Sequence, residues 1–355
     1  MTGHRAWIVC LAYSPDGRYL ASGSHDYTVR VWNVETRQCF RTLTAHTGWV
    51  RCVAFSSQGK LASAAEDQTV RVWDVETGKC VRFIRTFGGS SVAWAPDGNR
   101  FVFVSNDRHV NVAEMQHTES HALNTYSPYT LTQIVFAPNG NTIAMSLRGV
   151  HNISVCDATR DHRIATLFGH TDAINCIAYS PCSNYLASAS NDCSACIWHL
   201  PASLTGYTAS KPMHRLQHQR GLLSLAFSPD TRHVVTATFD HSVYVWDVHC
   251  GICVKMYIGH ELSVAAVAFA PNNKSIASAG CDQTVRLWPF VAYSWLCNMA
   301  LILLSRNVAP YVVLDIIDML VADKAQRLSF VDVATYDHFK RIKLIESVQR
   351  KLIKQ

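Results

Sequence analysis

The sequence predicts an all-β fold of seven repeated units followed by a small α-helical extension, and three observations carry that prediction. The first is a recurring phrase. Residues 21–33 read ASGSHDYTVRVWN, residues 62–74 ASAAEDQTVRVWD and residues 277–288 ASAGCDQTVRLW, with weaker copies at 187–198 (ASASNDCSACIW) and 236–247 (TATFDHSVYVWD). The second is the period. The closing tryptophan or its stand-in falls at Trp32, Trp73, Ala113, Cys156, Trp198, Trp246 and Trp288, in steps of 41, 40, 43, 42, 48 and 42 residues. The third is a turn ahead of each phrase, as in Ser14-Pro15-Asp16-Gly17 and Ala137-Pro138-Asn139-Gly140. Proline presets one dihedral angle there, and glycine or asparagine accepts positive φ. Self-similarity at a fixed period decides the fold before any local reading does.

The elements follow in order. Residues 7–13, 50–55, 91–95, 133–136, 174–179, 222–227 and 264–269 are apolar runs that read as buried inner strands. Residues 29–32, 70–73 and 285–288 alternate apolar and basic side chains and read as half-exposed strands. Four strands per unit of about 40–45 residues make a β-propeller blade, which buries its faces only against neighbours in a ring. The ring is assigned residues 1–290. Three residues precede His4, too few to supply the outer strand of the last blade. Either residues 291–304 complete blade seven or the ring closes imperfectly; completion is the expectation. Residues 305–355 form the helical extension.

Composition sets the setting. With 48% apolar and 16% charged residues, the chain has the balance of a globular protein in water. Its 13 cysteines are odd in number and lack disulfide-like spacing, and the opening MTGHRAW is no signal peptide. Both features point to an intracellular location, cytoplasmic or nuclear. The net charge is +6, of which the last 20 residues, six basic and two acidic, hold +4. The remaining +2 argues against nucleic acid as the partner of the ring, and the longest apolar run, residues 295–304, is about half a membrane span.

A further set of residues keeps register with the repeat. A histidine stands 11 residues before the turn proline or its equivalent at His4, His46, His170, His218 and His260, and Ser22, Ser63, Ser188, Thr236 or Ser278 stands four residues before each repeat aspartate. With the closing tryptophan, these markers make the chain resemble the WD-repeat β-propellers over residues 3 to about 290. The resemblance implies a hydrogen-bonded network in each regular blade: His4, Ser22, Asp26 and Trp32; His46, Ser63, Asp67 and Trp73; His170, Ser188, Asp192 and Trp198; His218, Thr236, Asp240 and Trp246; His260, Ser278, Asp282 and Trp288. Histidine, serine and aspartate also spell a hydrolase triad. A catalytic site occurs once, however, whereas this trio recurs five times with an indole as fourth member. No enzyme activity, cofactor, metal or small-molecule substrate is expected.

Departures from the pattern are informative. Repeat three keeps Asp107 but has Arg85, Phe103 and Ala113 at the other positions; repeat four has Ser127, Val150 and Cys156 and keeps none. Packing is expected to hold both. The insertion at residues 201–212 (PASLTGYTASKP) reads as a mobile surface loop. Two CxxC words, at Cys193 and Cys196 and at Cys250 and Cys253, lie one repeat apart and do not make a four-ligand zinc site. Cys253 keeps register with Cys39 and Cys80, where a small buried hydrophobe suits the start of an outer strand.

The resemblance also implies where partners bind. Residues just after the repeat histidine and just before the repeat aspartate lie around one rim: Arg5, Trp7, Trp49, Arg51, His25, Glu66, Asn106, Asn191 and Phe239. Arg5, Trp7, Trp49, Arg51, Glu66 and Phe239 are the candidate contacts for a protein or peptide, because exposed tryptophan and arginine anchor interfaces. The alternative is that both tryptophans pack between blades.

The C-terminal stretch has its own signals. Pro310 opens a helical pattern with Val313, Ile316, Ile317 and Leu320 on one face. Residues 338–353 form a second amphipathic helix. Ala309-Pro310-Tyr311-Val312-Val313-Leu314 weakly resembles the start of an F-box, and a helical box after a propeller resembles the SOCS-box arrangement. Ala309 replaces the F-box leucine, and no cysteine falls where a SOCS box needs one. That resemblance implies a component of a cullin-type ubiquitin ligase as partner; a helical cap on the propeller is the plainer reading.

Overall fold

The computed structural model describes residues 1–86, 91–104, 110–116, 120–122, 131–147, 149–158, 163–201, 207–209 and 211–290. Residues 291–304, the helices expected within 305–355, and Asn106, Asp107 and Ser127 lie outside these. The described strands form seven sheets, one per repeat, and the fold is an all-β, seven-bladed propeller. Blade one is typical: Ile8–Tyr13, Tyr19–Ser24, Val29–Asn33 and Cys39–Leu43 pair in that order. Each neighbour is antiparallel. The closing tryptophan sits opposite a fully buried aliphatic residue of the second strand, Leu20 for Trp32 and Leu61 for Trp73.

Burial is distributed differently from the alternation read off the sequence. The second strands are the most buried, as in Tyr19–Ser24 and Leu61–Ala65. The first strands are mostly half-buried, as in Ile8–Tyr13 and Val50–Phe55. The first strand lines the middle of the ring and has a neighbouring strand on one side only, so part of it stays uncovered. The third strands are more buried than expected, because only Arg30 and Asn33 in Val29–Asn33 remain half-buried.

The core lies between blades. One apolar cluster joins Ala21, Val29 and Val31 of blade one to Val50, Leu61 and Trp73 of blade two. Another joins Ile8, Leu20 and Trp32 of blade one to Ala277, Ala279 and Val285 of blade seven, which closes the ring by packing. Blades three and four substitute apolar groups where the network would stand: Phe103 and Ala113, then Met145 and Cys156, all at most 6% exposed.

Hydrogen bonds also link neighbouring inner strands. Most inner strands carry a bulge near the same position, as between Ile8 and Cys10 and between Val264 and Ala266. The residues there are Cys10, Cys52, Ser91, Gln133, Cys176, Ser224 and Ala266. The Cys52 thiol meets Val92 O at 3.5 Å, Ser91 Oγ accepts from Ile134 N–H at 3.2 Å and Gln133 Oε1 accepts from Ile177 N–H at 2.6 Å. Cys176 reaches Leu225 O at 3.6 Å and Ser224 Oγ accepts from Val267 N–H at 3.3 Å. Ala266 has no polar atom to continue the series into blade one.

One expectation needs correction. Within the insertion at 201–212, Tyr207–Ala209 is a strand that pairs parallel with Arg163–Phe168 and gives blade four a fifth strand. The exposed edge of blade four offers unpaired backbone groups, and the insertion is long enough to reach them. At the ring's closure, Thr2 bridges Thr284 of blade seven. This isolated bridge adds no strand, and the described part of blade seven has three strands.

Candidate functional site

The repeated polar network comes first, because it fixes the loops that carry the rim. In blade one, His4 Nδ1 lies 2.8 Å from Asp26 Oδ2 and Nε2 lies 2.7 Å from Ser22 Oγ, which also accepts the Trp32 indole N–H at 2.8 Å. Blade two repeats this with His46, Asp67, Ser63 and Trp73 at 2.7, 2.7 and 2.9 Å. Blade seven does so with His260, Asp282, Ser278 and Trp288, all at 2.7 Å. A threonine adds to each: Thr28, Thr69 and Thr284 donate to the same aspartates. Burial alone would raise the Asp26 carboxyl, but hydrogen bonds from His4, Thr28 and the Arg5 N–H together hold it well below the usual carboxylate range.

Blades five and six differ. In blade five, His170 meets Asp192 at 2.8 Å and Ser188 at 2.6 Å, yet the Trp198 indole N–H has no partner among the described residues. There Arg215 enters from the outer strand and lies 3.6 Å from Asp192. In blade six, Trp246 donates to Thr236 at 3.1 Å and His218 Nε2 lies 3.4 Å from the same hydroxyl. Asp240 turns away from the histidine and accepts from the Tyr244 hydroxyl at 2.9 Å. His218 Nδ1 is left buried without a partner among the described residues, and burial pushes its pKa down to about 4.

The four network serines Ser22, Ser63, Ser188 and Ser278 are 0% exposed, so none presents its hydroxyl to a substrate. The cysteine words fare likewise. Cys196 is buried and Cys193 half-buried, and no cluster of histidine, cysteine, aspartate or glutamate among the described residues is arranged to hold a metal ion. Cys39, Cys80 and Cys253 are exposed, contrary to the buried role expected of that position. Each thiol turns back along its own strand, to Arg41 O, Arg82 O and Lys255 O at 3.3, 3.1 and 3.5 Å.

The rim residues stand above this network. Strand register puts the loop before each first strand beside the turn between the second and third, as Ile8 opposite Ser24 shows. His25 N–H donates to Trp7 O at 2.9 Å and Glu66 N–H to Trp49 O at 3.0 Å. Trp7 is 52% and Trp49 39% exposed, so neither is buried between blades. His25 lies between them, 5.6 Å from Trp7 and stacked on Trp49 at 4.4 Å and 12°. The Arg51 guanidinium also lies over Trp49, 4.9 Å from its ring centroid. It donates twice to Glu66 Oε1, at 2.8 and 2.6 Å, and once to His25 Nε2 at 3.1 Å. Burial first, then the Arg51 charge, lowers the His25 pKa, which favours the neutral ring that this hydrogen bond requires.

The result is an exposed cluster in which His25 and Trp49 stack, Trp7 tilts against His25, and Arg51 joins His25 to Glu66. Arg5 is exposed beside it, its backbone N–H held by Asp26 at 2.9 Å. Phe239, 43% exposed, lies on blade six and is not part of the cluster; Asn191 is on blade five. Tyr27 and Leu262, 45% and 47% exposed, share the rim and were not singled out from the sequence. Tyr27 occupies the turn position that takes positive φ, 71° here, as do Gln68 and His241 in blades two and six.

The opposite rim offers less. A cleft of about 390 Å³ between blades one and two is lined by Asp16, Arg18, Lys60, Asp74 and Glu76 among others. Its charges are spent on each other, Asp16 with Arg18 and Lys60 with Asp74, both at 2.5 Å.

The architecture and its recurring histidine, serine, aspartate and tryptophan set define a β-propeller with an aromatic rim. The chain belongs to the WD-repeat family: the model described as WD domain, G-beta repeat matches residues 1–33, 37–74, 161–199, 210–247 and 251–289, more than half of the chain. The unmatched middle covers blades three and four, where packing replaces the network. Similar proteins include periodic tryptophan protein 2 of Arabidopsis thaliana, 25% identical over 70% of this chain and 23% of that one. The LST8 homolog of Drosophila melanogaster is 27% identical over 64% of this chain and 74% of its own. DDB1- and CUL4-associated factor 13 of Xenopus tropicalis is 24% identical over 72% and 58%. This chain thus spans less than a quarter of the first of these and just over half of the last.

Proposed function

We propose that the chain is a non-catalytic interaction scaffold whose rim at Trp7, Trp49, Arg5 and Arg51, with Glu66 as brace and Phe239 as an outlying contact, receives a protein or peptide partner inside the cell. Propellers of this family typically act as protein-interaction scaffolds. The single observation that carries the assignment to this rim is the exposed cluster. Two tryptophans remain in water, yet their orientations are already fixed by His25 and Arg51. Such pre-ordering lowers the entropy cost of binding, and the few residues that dominate interface energies are enriched in tryptophan and arginine. No helix among the described residues is long and apolar enough to cross a membrane. The test is quantitative affinity purification of the full chain and of Trp7→Ala/Trp49→Ala. Selective loss of partners with an unchanged melting temperature supports the rim; an identical partner set refutes it.

A second reading, substrate-recruiting adaptor of a cullin-type ubiquitin ligase, is favoured by the similarity to a protein whose name records association with DDB1 and CUL4. In this reading the C-terminal segment makes the ligase contact. Loss of a cullin-ligase subunit from the purified set on changing Val313 and Ile317 to aspartate, with other partners retained, supports it.

A further inference from the structure

His25 is the imidazole of the rim cluster, and its neighbours dictate which protonation state the cluster uses. Arginine only donates hydrogen bonds, so the 3.1 Å contact with Arg51 Nη1 makes His25 Nε2 an acceptor. The single proton of the neutral ring therefore sits on Nδ1. A second proton would have to go to Nε2 itself. It would set N–H against N–H and cation against cation.

The surroundings give that proton no ready partner. Among the described residues, Arg51 and Glu66 are the charged groups that bear on His25. Glu66 Oε1 already accepts two hydrogen bonds from Arg51. Asp26, next in the chain, is taken by His4, Thr28 and the Arg5 N–H. Asp67, next to Glu66, is taken by His46 and Thr69. From the loop before the first strand, His4 is buried and Arg5 is exposed. Burial and the Arg51 charge oppose protonation of His25, and Glu66 favours it to a lesser degree. An imidazolium would gain a cation–π contact with Trp49, but Arg51 already supplies one to the same ring.

The contact at risk is the one that orders the rim. The backbone link from His25 N–H to Trp7 O, 2.9 Å, is indifferent to the ring's charge. The link to Arg51 is not. The same guanidinium lies over Trp49, 4.9 Å from its ring centroid, so moving it releases that indole. The arrangement is also singular. Blades two, five, six and seven have Glu66, Asn191, Phe239 and Cys281 at the place of His25.

Taking the rim as the partner site, on which this rests, we propose that His25 makes binding proton-sensitive: the neutral ring holds Arg51 and orders Trp49 for the partner, and a proton taken up from solvent at Nε2 expels Arg51 and weakens binding. The ordered rim is complete above pH 6.5 and is lost as the pH falls through the lowered His25 value.

The first measurement needs no partner. The full chain is labelled with fluorotryptophan and titrated by fluorine NMR, with the Trp7 and Trp49 signals assigned by Trp7→Phe and Trp49→Phe. The Trp49 signal should move with a single midpoint below 6.5. Arg51→Met removes the competing cation and should raise that midpoint, a change that a merely structural role for His25 would not produce. A Trp49 signal that does not titrate, a wild-type midpoint at or above 6.5, or an unmoved midpoint in Arg51→Met overturns the proposal.

The second measurement separates regulation from the site. Partners are recovered by affinity purification at about pH 7.5 and at one pH unit below the midpoint. For partners that depend on Trp7 and Trp49, recovery from wild type should fall roughly tenfold, following the share of neutral imidazole that remains. His25→Gln offers Arg51 an acceptor that does not titrate, so its two recoveries should match, whatever their absolute level. An equal fall in both proteins places the proton elsewhere and overturns the regulation while the rim reading stands. If Trp7→Ala/Trp49→Ala loses no partner at the higher pH, the rim reading falls, and the claim about binding falls with it.

Discussion

At the residue scale, the fate of a buried imidazole depends on where its carboxylate points. In blades one, two, five and seven the aspartate holds the histidine; in blade six Tyr244 has captured Asp240 and leaves His218 with the lowered pKa of about 4. The ordinary value is 6.5, so as pH falls the unfolded chain takes up this proton before the folded one does. The stability from neutral His218 is therefore complete above pH 6.5 and is lost progressively as the pH falls toward about 4. His46 and His260, also lowered by burial against the pull of their aspartates, act in the same direction. The expected loss for His218 is on the order of 3 kcal/mol, and His218→Gln should flatten the stability profile between pH 6.5 and 4 in urea titrations. An unchanged slope would show that His218 is not the titrating group.

Asp67 makes a contrasting case. Its carboxylate accepts from His46, from the Thr69 hydroxyl and N–H, and from the Thr47 N–H. Asp67→Ala strands these groups and should cost about 3 kcal/mol, seen as a lower melting temperature with rim binding retained at temperatures where the variant is folded. The members of this network were legible because the repeat spells them five times. Blade six carries all four letters of the set, yet its aspartate does not reach the histidine. Its tyrosine stands where blades one, two and seven have Arg30, Arg71 and Arg286, and its hydroxyl takes the aspartate.

At the element scale, period and turn chemistry located the strands well. The inner strands of blades two, five, six and seven have the residue bounds expected from their apolar runs. Depth was harder to read, because a strand's cover comes from the neighbouring blade and not from its own alternation. The strand Tyr207–Ala209 was hidden in a polar insertion for a related reason: its partner is the edge of blade four, more than 30 residues back in the chain. The links between inner strands were also invisible, since cysteine, serine and glutamine at that position look unrelated until the bulge aligns them. Their break at Ala266 yields a test. Ser224 occupies the same place in blade six, opposite Ala237, just as Ala266 lies opposite Ala279. Ala266→Ser should therefore donate to or accept from blade one and raise stability by about 1 kcal/mol. A lower melting temperature would mean that the space at the closure is already filled.

At the scale of the whole molecule, the ring converts a stabilising repeat into a display surface. Burying the same polar set in successive blades fixes the loops above it. Those loops need not repeat, so Trp7, His25, Trp49, Arg51 and Glu66 can differ from their counterparts on the other blades. The positions on this rim were readable by analogy of register; the cluster was not, because it joins residues of two blades through a histidine that sequence alone gives no reason to favour. The central claim is that this cluster is where a partner binds. Its most direct test is affinity purification of wild type beside Trp7→Ala/Trp49→Ala, with both proteins matched for melting temperature and quantified by mass spectrometry. The account predicts that at least one abundant partner falls tenfold or more in the variant, the scale expected for losing two interface anchors, while tail-dependent partners persist. Retention of every partner at wild-type abundance would contradict it.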